Sequence, residues 1–172
     1  MNKQGNFGAA ARGAKAAFVA LACAALFVAN VPAAGAASWK GIEPLKSRRA
    51  DVERVLGRAA RETSADGALH FDVAGGRVTV FFLSAKTVAV KKMSPELEGT
   101  VIQIVLQHDT ASDTPESLGL DKGKRFEREA KGDVLFYNNQ RDGVAYIFIG
   151  GKLRTTRYSA PAEELAKTFK KR

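Results

Sequence analysis

Apolar and polar residues recur along this chain with two different periods, and the change of period marks its elements. Between 48 and 56, Val52, Val55 and Leu56 stand at i, i+3 and i+4, the spacing that places them on one helix face. Pro44 marks the turn before this helix, and Ser47 offers a hydroxyl to its first free amides. Gly57 stands where a left-handed residue ends a helix at least cost. Residues 38–42 run extended into the helix, with Trp39 and Ile42 covering one edge of the core. Asp51 and Glu53 interleave with Arg48, Arg49 and Arg54, so the outward side is a solvated mixed-charge face.

The period then falls to two. Leu69, Phe71 and Val73 alternate with His70 and Asp72, Ala74-Gly75-Gly76 supplies a turn, and 77–83 is a strand rich in Val and Phe. Residues 87–91 read as a short pairing segment ahead of Ser94-Pro95, and 101–108 as a clear strand with Ile102, Ile104 and Leu106 on one face. Residues 109–123 are the most polar stretch. Asp109, Asp113, Pro115, Gly119 and Gly123 predict a loop with at most a short helix near 115–120. The type of 125–129 is left open. Segments 134–137 and 144–149 form a hairpin across 138–143, where Asp142-Gly143 is a turn signal, and 152–158 is the last strand. A terminal helix follows. Pro161 suits its first turn, Glu163 and Glu164 lie at the positive end of its dipole, and Lys167, Lys170, Lys171 and Arg172 at the negative end. Ala162, Leu165, Ala166 and Phe169 make the stripe that docks on the sheet.

These elements predict an α+β fold: a helix, an antiparallel meander, a polar loop, a second meander and a C-terminal helix packed on a sheet of five or six strands. Shifting the chain by 66 residues brings Gly57 onto Gly123, Leu69 onto Leu135 and Phe71 onto Tyr137. The same shift brings Val78 onto Val144, Phe82 onto Phe148 and Leu83 onto Ile149. Two similar halves, 39–108 and 109–172, would form one continuous sheet, although strands sharing a period of two produce part of this match unaided. Both readings stay open.

The first 36 residues carry a different signal. Lys3, Arg12 and Lys15 precede an apolar run of 14 residues at 16–29, and Ala34-Gly35-Ala36 follows. That order predicts a secretory signal peptide over 1–36, cleaved near Ala36. The run is shorter than the ~20 residues of a membrane-spanning helix, so no transmembrane span is expected once the leader is cleaved. Cys23 is the only cysteine, and Ala20-Leu21-Ala22 before it is a poor lipobox. The expectation is therefore loss of Cys23 with the leader rather than lipidation, and a mature chain without thiol chemistry. Residues 37–172 then form a single domain that is periplasmic or secreted. It keeps 24 basic residues against 18 acids, a net charge of +6. Outside the cytoplasm that excess suits anionic lipid, polysaccharide or acidic proteins rather than nucleic acid.

The pattern Pro44-Leu45-x-Ser47-x-x-x-Asp51-Val52-x-x-x-Leu56-Gly57, behind a leader and ahead of a meander, resembles the small SmpA/OmlA-type envelope domain. That fold is shared with β-lactamase inhibitor proteins, where two such halves stand in tandem. Residues 44–57 and the order of elements carry the likeness. The chain departs from it in its poor lipobox and in having no proline after Gly57. The resemblance implies an α+β domain of the cell envelope that works by contact with other proteins. The matched positions make the fold, so no functional residue is carried over.

Catalytic constellations are thin. His70 and His108 fall on different strands, each near an aspartate, and no helical His-x-x-x-His or His-Glu-x-x-His accompanies them. Gly-x-Ser-x-Gly is absent. Glu96, Glu98, Asp109, Glu127 and Glu129 leave a small hydrolase as a remote alternative. The sequence calls for no cofactor and no metal. Candidate residues for an anionic ligand are Lys122, Lys124, Arg125 and Arg128, with Lys152, Arg154 and Tyr158 on one strand face and Arg157 on the other. The reading with most support is a non-catalytic protein-interaction module, in form an inhibitor or assembly factor. Its alternative is a binder of anionic lipid or polysaccharide through those basic rows. Strands 78–83, 134–137 and 144–149 are apolar on both faces, so the second face is sealed by 109–130 or left for a partner.

Overall fold

In a computed structural model, which describes residues 37–63, 67–122 and 124–169, the period-two segments pair into one antiparallel sheet. The elements run α1 (Arg49–Leu56), β1 (Arg61–Thr63), β2 (Ala68–Val73), β3 (Gly76–Phe82), α2 (Ala85–Val90), a 3-10 turn (Pro95–Leu97) and β4 (Val101–His108). They continue with β5 (Glu127–Lys131), β6 (Val134–Asn139), β7 (Val144–Ile149), β8 (Lys152–Ser159) and α3 (Ala162–Thr168). The signal-peptide reading, with Cys23 and its cleavage site, lies outside the described residues. No helix among those residues is long and apolar enough to cross a membrane.

The sheet has eight strands in the order β1-β2-β3-β4-β8-β7-β6-β5, more than the five or six expected. Two four-stranded meanders therefore meet through their last strands, β4 and β8, with Leu106 opposite Thr156. An offset of 66 carries Ala68–Val73 onto Val134–Asn139, residue for residue. It fails after β7, because α2 and the 3-10 turn connect β3 to β4, whereas only Gly150-Gly151 connects β7 to β8.

One face of the sheet is packed. Ile42 and Val52 bury against Leu69, Phe71, Val78, Val80, Ile104 and Leu106, joining α1 to the first meander. Beside this cluster, Leu120 from the long loop buries against Tyr137, Phe148 and Leu153, with Phe126 and Tyr146 at its margin. The Tyr137 and Phe148 rings meet edge to face at 5.7 Å. Each fully buried large side chain contributes about 1.5–3 kcal/mol, so these combs hold the fold. A third cluster at one end of the sheet gathers Leu83, Val88 and Met93, with Leu165 of α3 against it.

Several local expectations change. Residues 85–90 are helical rather than extended, because Ser84 Oγ accepts from the Thr87 amide at 3.2 Å and Val88 is buried against Leu83 and Met93. Capping and burial there outweigh the β preference of Val and Thr. Ser47 does not cap α1. It accepts from the Glu43 amide at 2.9 Å, while the Asp51 carboxylate accepts from the Arg48 amide at 2.9 Å. Residues 39–42 are a tight turn, not an extended lead-in: Trp39 and Ile42 exchange both backbone hydrogen bonds, with Lys40 at φ 51° and Gly41 at φ 78°. Ile102 leaves the face of Ile104 and Leu106, because the β3–β4 register slips so that Phe82 meets Val101 and Phe81 meets Gln103. Of the stripe on α3 only the Leu165 side chain packs, with Ala162, Ala166 and Phe169 exposed, and a backbone bridge from Phe169 to Met93 holds the helix end.

Candidate functional site

The opposite face of the sheet carries the candidate site. Directly paired residues of neighbouring strands point to the same side, so the registers define its rows. One row runs Arg61, His70, Thr79, Val105, Arg157, Ala145, Asn138 and Glu127. The next runs Asp72, Arg77, Gln107, Thr155, Ile147, Phe136 and Glu129. Phe81 and Gln103 lie above them, near α3. Phe81, Val105, Phe136, Ala145 and Ile147 are only partly buried, and none belongs to a packed cluster of the described residues. Of the two alternatives for this second face, sealing by the long loop is not met by its described apolar residues: Ala111, Leu120 and Phe126 pack beside α1 on the first face. Turns fill 115–121, with the Leu118, Gly119 and Leu120 amides bonded back to Thr114, Glu116 and Pro115.

The open face has a chemical gradient. At the β1–β4 corner, Arg61, Arg77, Asp72, His70, Thr79 and Gln107 line a polar hollow of about 440 Å³. His70 lies between the hydroxyls of Thr63 at 2.8 Å and Thr79 at 3.1 Å. Arg61, Arg77 and Arg157 form no ion pair among the described residues. The middle strands β4 and β8 present Val105 and Gln107 beside Arg157 and Thr155, the apolar Ala145, Ile147 and Phe136 follow on β7 and β6, and the far strand presents Glu127 and Glu129. Near α3, Phe81, Ile102 and Leu165 line an apolar groove of about 360 Å³. The sheet edges are protected: β1 has three residues, and β5 reads Glu-Arg-Glu-Ala-Lys with every residue exposed. Short and charged edge strands discourage strand addition, which leaves the face as the surface for contact.

The seven residues singled out for an anionic ligand do not converge. Lys122 and Lys124 are exposed in the long loop. Arg125 donates to the Asp142 carboxylate at 2.7 and 3.0 Å and holds it below the usual carboxylate range. Arg128 is exposed on β5, opposite Tyr137 on the packed side. The strand face expected for Lys152, Arg154 and Tyr158 is broken by a bulge. The register slips between Ile147 and Phe148, so Lys152 pairs with Ile149 on the open side. Arg154 reaches the Asp109 carbonyl at 3.5 Å, and Tyr158 packs against the first core cluster. Thr156 is buried and shares a hydrogen bond of 2.9 Å with His108 Nε2.

His70 and His108 lie on opposite faces of the sheet, so they cannot share one ion. Among the described residues no three His, Cys, Asp or Glu side chains form a metal-holding group. Alternation shows that the strands are two-faced, but only the register shows that Arg157 adjoins Ala145 and that Arg61 and Arg77 share a face with Phe136 and Ile147. Comparison with protein-family profiles, with curated proteins and with solved structures gave no match.

Proposed function

We propose that this protein is an exported, non-catalytic interaction module of the cell envelope or secreted space, which docks a protein partner on the open face of its sheet. The observation that carries this reading is an eight-stranded sheet with one face packed and the other bearing Phe81, Val105, Phe136, Ala145 and Ile147, all only partly buried and outside the packed clusters. Partly exposed apolar side chains gathered on β6 and β7, between Arg157 on one side and Glu127 and Glu129 on the other, support a contact surface. The resemblance of residues 44–57 to envelope domains that act by protein contact supports the same reading. Inhibition of a secreted enzyme, or assistance in assembly, is the form such docking would take.

The test is affinity capture from a solubilised envelope fraction at low and high salt, comparing the wild-type protein with Ile147→Glu and Phe136→Glu. A protein retained at both salts by the wild type and lost from both variants, with their circular dichroism unchanged, is the expected result. Retention that survives both substitutions would remove the open face from the reading. Lipid or polysaccharide retained only at low salt would replace it with an electrostatic one.

A further inference from the structure

We propose that the polar hollow at the β1–β4 corner seats one carboxylate, carried by an aspartate or glutamate side chain of the docked partner protein; this names part of the partner's chemistry and rests on the open face being a docking surface. The hollow, about 440 Å³, is lined by Arg61 and Arg77 with His70, Asp72, Thr79 and Gln107. The registers bring the two arginines to one place. Arg61 pairs with His70 and His70 with Thr79, and Arg77 stands two residues before Thr79 on the same side of β3. Two strand spacings and one step of two residues put their Cα atoms about 12 Å apart, so the guanidiniums at the ends of both side chains can grip one group between them.

Both arginines are exposed, and neither is spent on a carboxylate among the described residues. Glu62, next to Arg61 on β1, turns to the packed side, where Arg49 donates to it at 2.7 and 2.8 Å. Asp72 pairs with Arg77 across β2 and β3 but lies in no ion pair among those residues. The rest of the lining offers neutral hydrogen-bonding groups. Gln107 brings an amide donor, and the Thr79 hydroxyl shares a hydrogen bond with His70 Nδ1 at 3.1 Å while Thr63 shares one with Nε2 at 2.8 Å. In its neutral form an imidazole donates from one nitrogen and accepts at the other. A carboxylate in the hollow favours the proton on Nδ1, because the Thr79 hydroxyl then accepts from the ring and keeps its own proton for the incoming oxygen.

Charge selects a carboxylate over a phosphate. Two guanidiniums against the Asp72 carboxylate leave the lining with one net positive charge, which a single carboxylate neutralises and a dianionic phosphate overshoots. A polymer of anions would also need cations that continue along the face. Beyond Arg77 its row runs Gln107, Thr155, Ile147, Phe136 and Glu129, and beyond Thr79 the other row has Arg157 as its only cation before Glu127. The positive charge is therefore local. Three strand spacings, about 14 Å, separate Arg77 from Ile147, so a protein surface carrying an acid and an apolar group that far apart meets both. Paired guanidinium–carboxylate hydrogen bonds then fix its register.

The experiment is a titration of the isotope-labelled protein, purified after expression of the full chain, followed by the NMR signals of the arginine Nε–H groups and the neighbouring amides. The probes are the blocked peptide acetyl-Gly-Glu-Gly-amide, its Gln counterpart and inorganic phosphate, at matched ionic strength. The expected result is saturable, millimolar binding of the Glu peptide at Arg61 and Arg77, at least tenfold weaker for the Gln peptide and no tighter for phosphate. Arg61→Gln with Arg77→Gln should abolish it with unchanged circular dichroism. No saturation by about 50 mM, equal shifts with the Glu and Gln peptides, or binding that survives the double substitution overturns the proposal. Phosphate that binds more tightly than the Glu peptide overturns it too, and puts a phosphate-bearing ligand in place of the protein acid. The docking face is read separately by affinity capture. A partner lost on Ile147→Glu but kept by Arg61→Gln with Arg77→Gln removes the seat and keeps the face. A partner indifferent to Ile147→Glu removes the face, and the seat with it as a partner contact.

Discussion

The two faces of this sheet are built from the same strands and end differently. On one, Leu69, Val80 and Ile104 lie in a row, and Phe71, Val78 and Leu106 in the next, all buried under α1. On the other, Val105, Ala145, Ile147 and Phe136 occupy the alternate positions of the same and neighbouring strands and remain partly exposed. The difference follows from topology rather than composition. Each meander is preceded by a covering segment, α1 for the first and 109–126 for the second. The halves meet as antiparallel neighbours at β4 and β8, which relates them by a rotation about an axis normal to the sheet. Such a rotation keeps both covering segments on one side. The opposite side is left bare by both halves at once, and one continuous open surface results.

The comparison breaks most visibly under truncation of one large ring on each face. Phe148→Ala, on the packed side and fully buried, should cost about 3–5 kcal/mol. Phe136→Ala, on the open side and partly exposed, should cost less than about 1 kcal/mol. Urea unfolding of both variants reads the difference directly. Equal costs would mean that the open face is packed in solution.

A second substitution strains the backbone without touching either face. Gly143 has φ 73°, and a Cβ there would overlap the Ser159 carbonyl oxygen. Gly143→Ala should therefore cost about 2–3 kcal/mol. At Gly150, φ is 57° but the space is open, so Gly150→Ala should cost only the left-handed penalty of about 1–2 kcal/mol. Thermal unfolding of the two variants ranks them. The reverse order would show that β7 and β8 do not approach as closely as this register requires.

Much of this fold is legible in the sequence, because alternation reports a strand wherever one face is buried. Leu69-Phe71-Val73, Val78-Val80 and the 144–149 segment emerge that way, and α1 by Val52, Leu56 and Gly57, although Val55 of the expected face is exposed. Where one cap or one buried side chain decides, as Ser84 and Val88 do for α2, periodicity over six residues carries too little signal. β1 was missed because Arg-Glu-Thr has no apolar period at all. The candidate site was half legible. Two-faced strands could be read, but not which side the 109–126 segment would cover, since that depends on the relation between the halves. The bulge near Leu153 is equally invisible in composition, yet it turns Lys152 away from Arg154 and Tyr158.

The tyrosines sharpen the comparison with a smaller effect. All three, Tyr137, Tyr146 and Tyr158, point to the packed side. Burial raises the pKa of each above the ordinary value, and for Tyr137 the hydroxyl's 2.6 Å hydrogen bond to Asp121 adds to it. A raised folded pKa means that the contribution to stability is complete below the unfolded value of about 10. It is lost as pH rises through the folded value. Tyrosinate absorbance in the folded protein should thus appear late and together with unfolding, whereas in denaturant all three should titrate normally. Tyr137→Phe, which removes the bond to Asp121, should cost about 1 kcal/mol.

His108 provides the smallest and most local test of the packed side. Its ring shares a hydrogen bond with the buried Thr156 hydroxyl, and burial lowers its pKa, with the Asp113 carboxylate partly opposing the shift. A neutral imidazole is therefore favoured by folding. The unfolded chain binds the proton more readily than the folded one, so stability falls as pH drops from the ordinary value of about 6.5 toward the lower folded value. His108→Gln keeps a side chain able to bond Thr156 and removes the titration. The difference in unfolding free energy between wild type and this variant should shift against the wild type between about pH 7 and 5.5. A difference that stays flat across that interval would show that His108 is solvated, and that the edge of the packed face between β4 and β8 is as open as the face behind it.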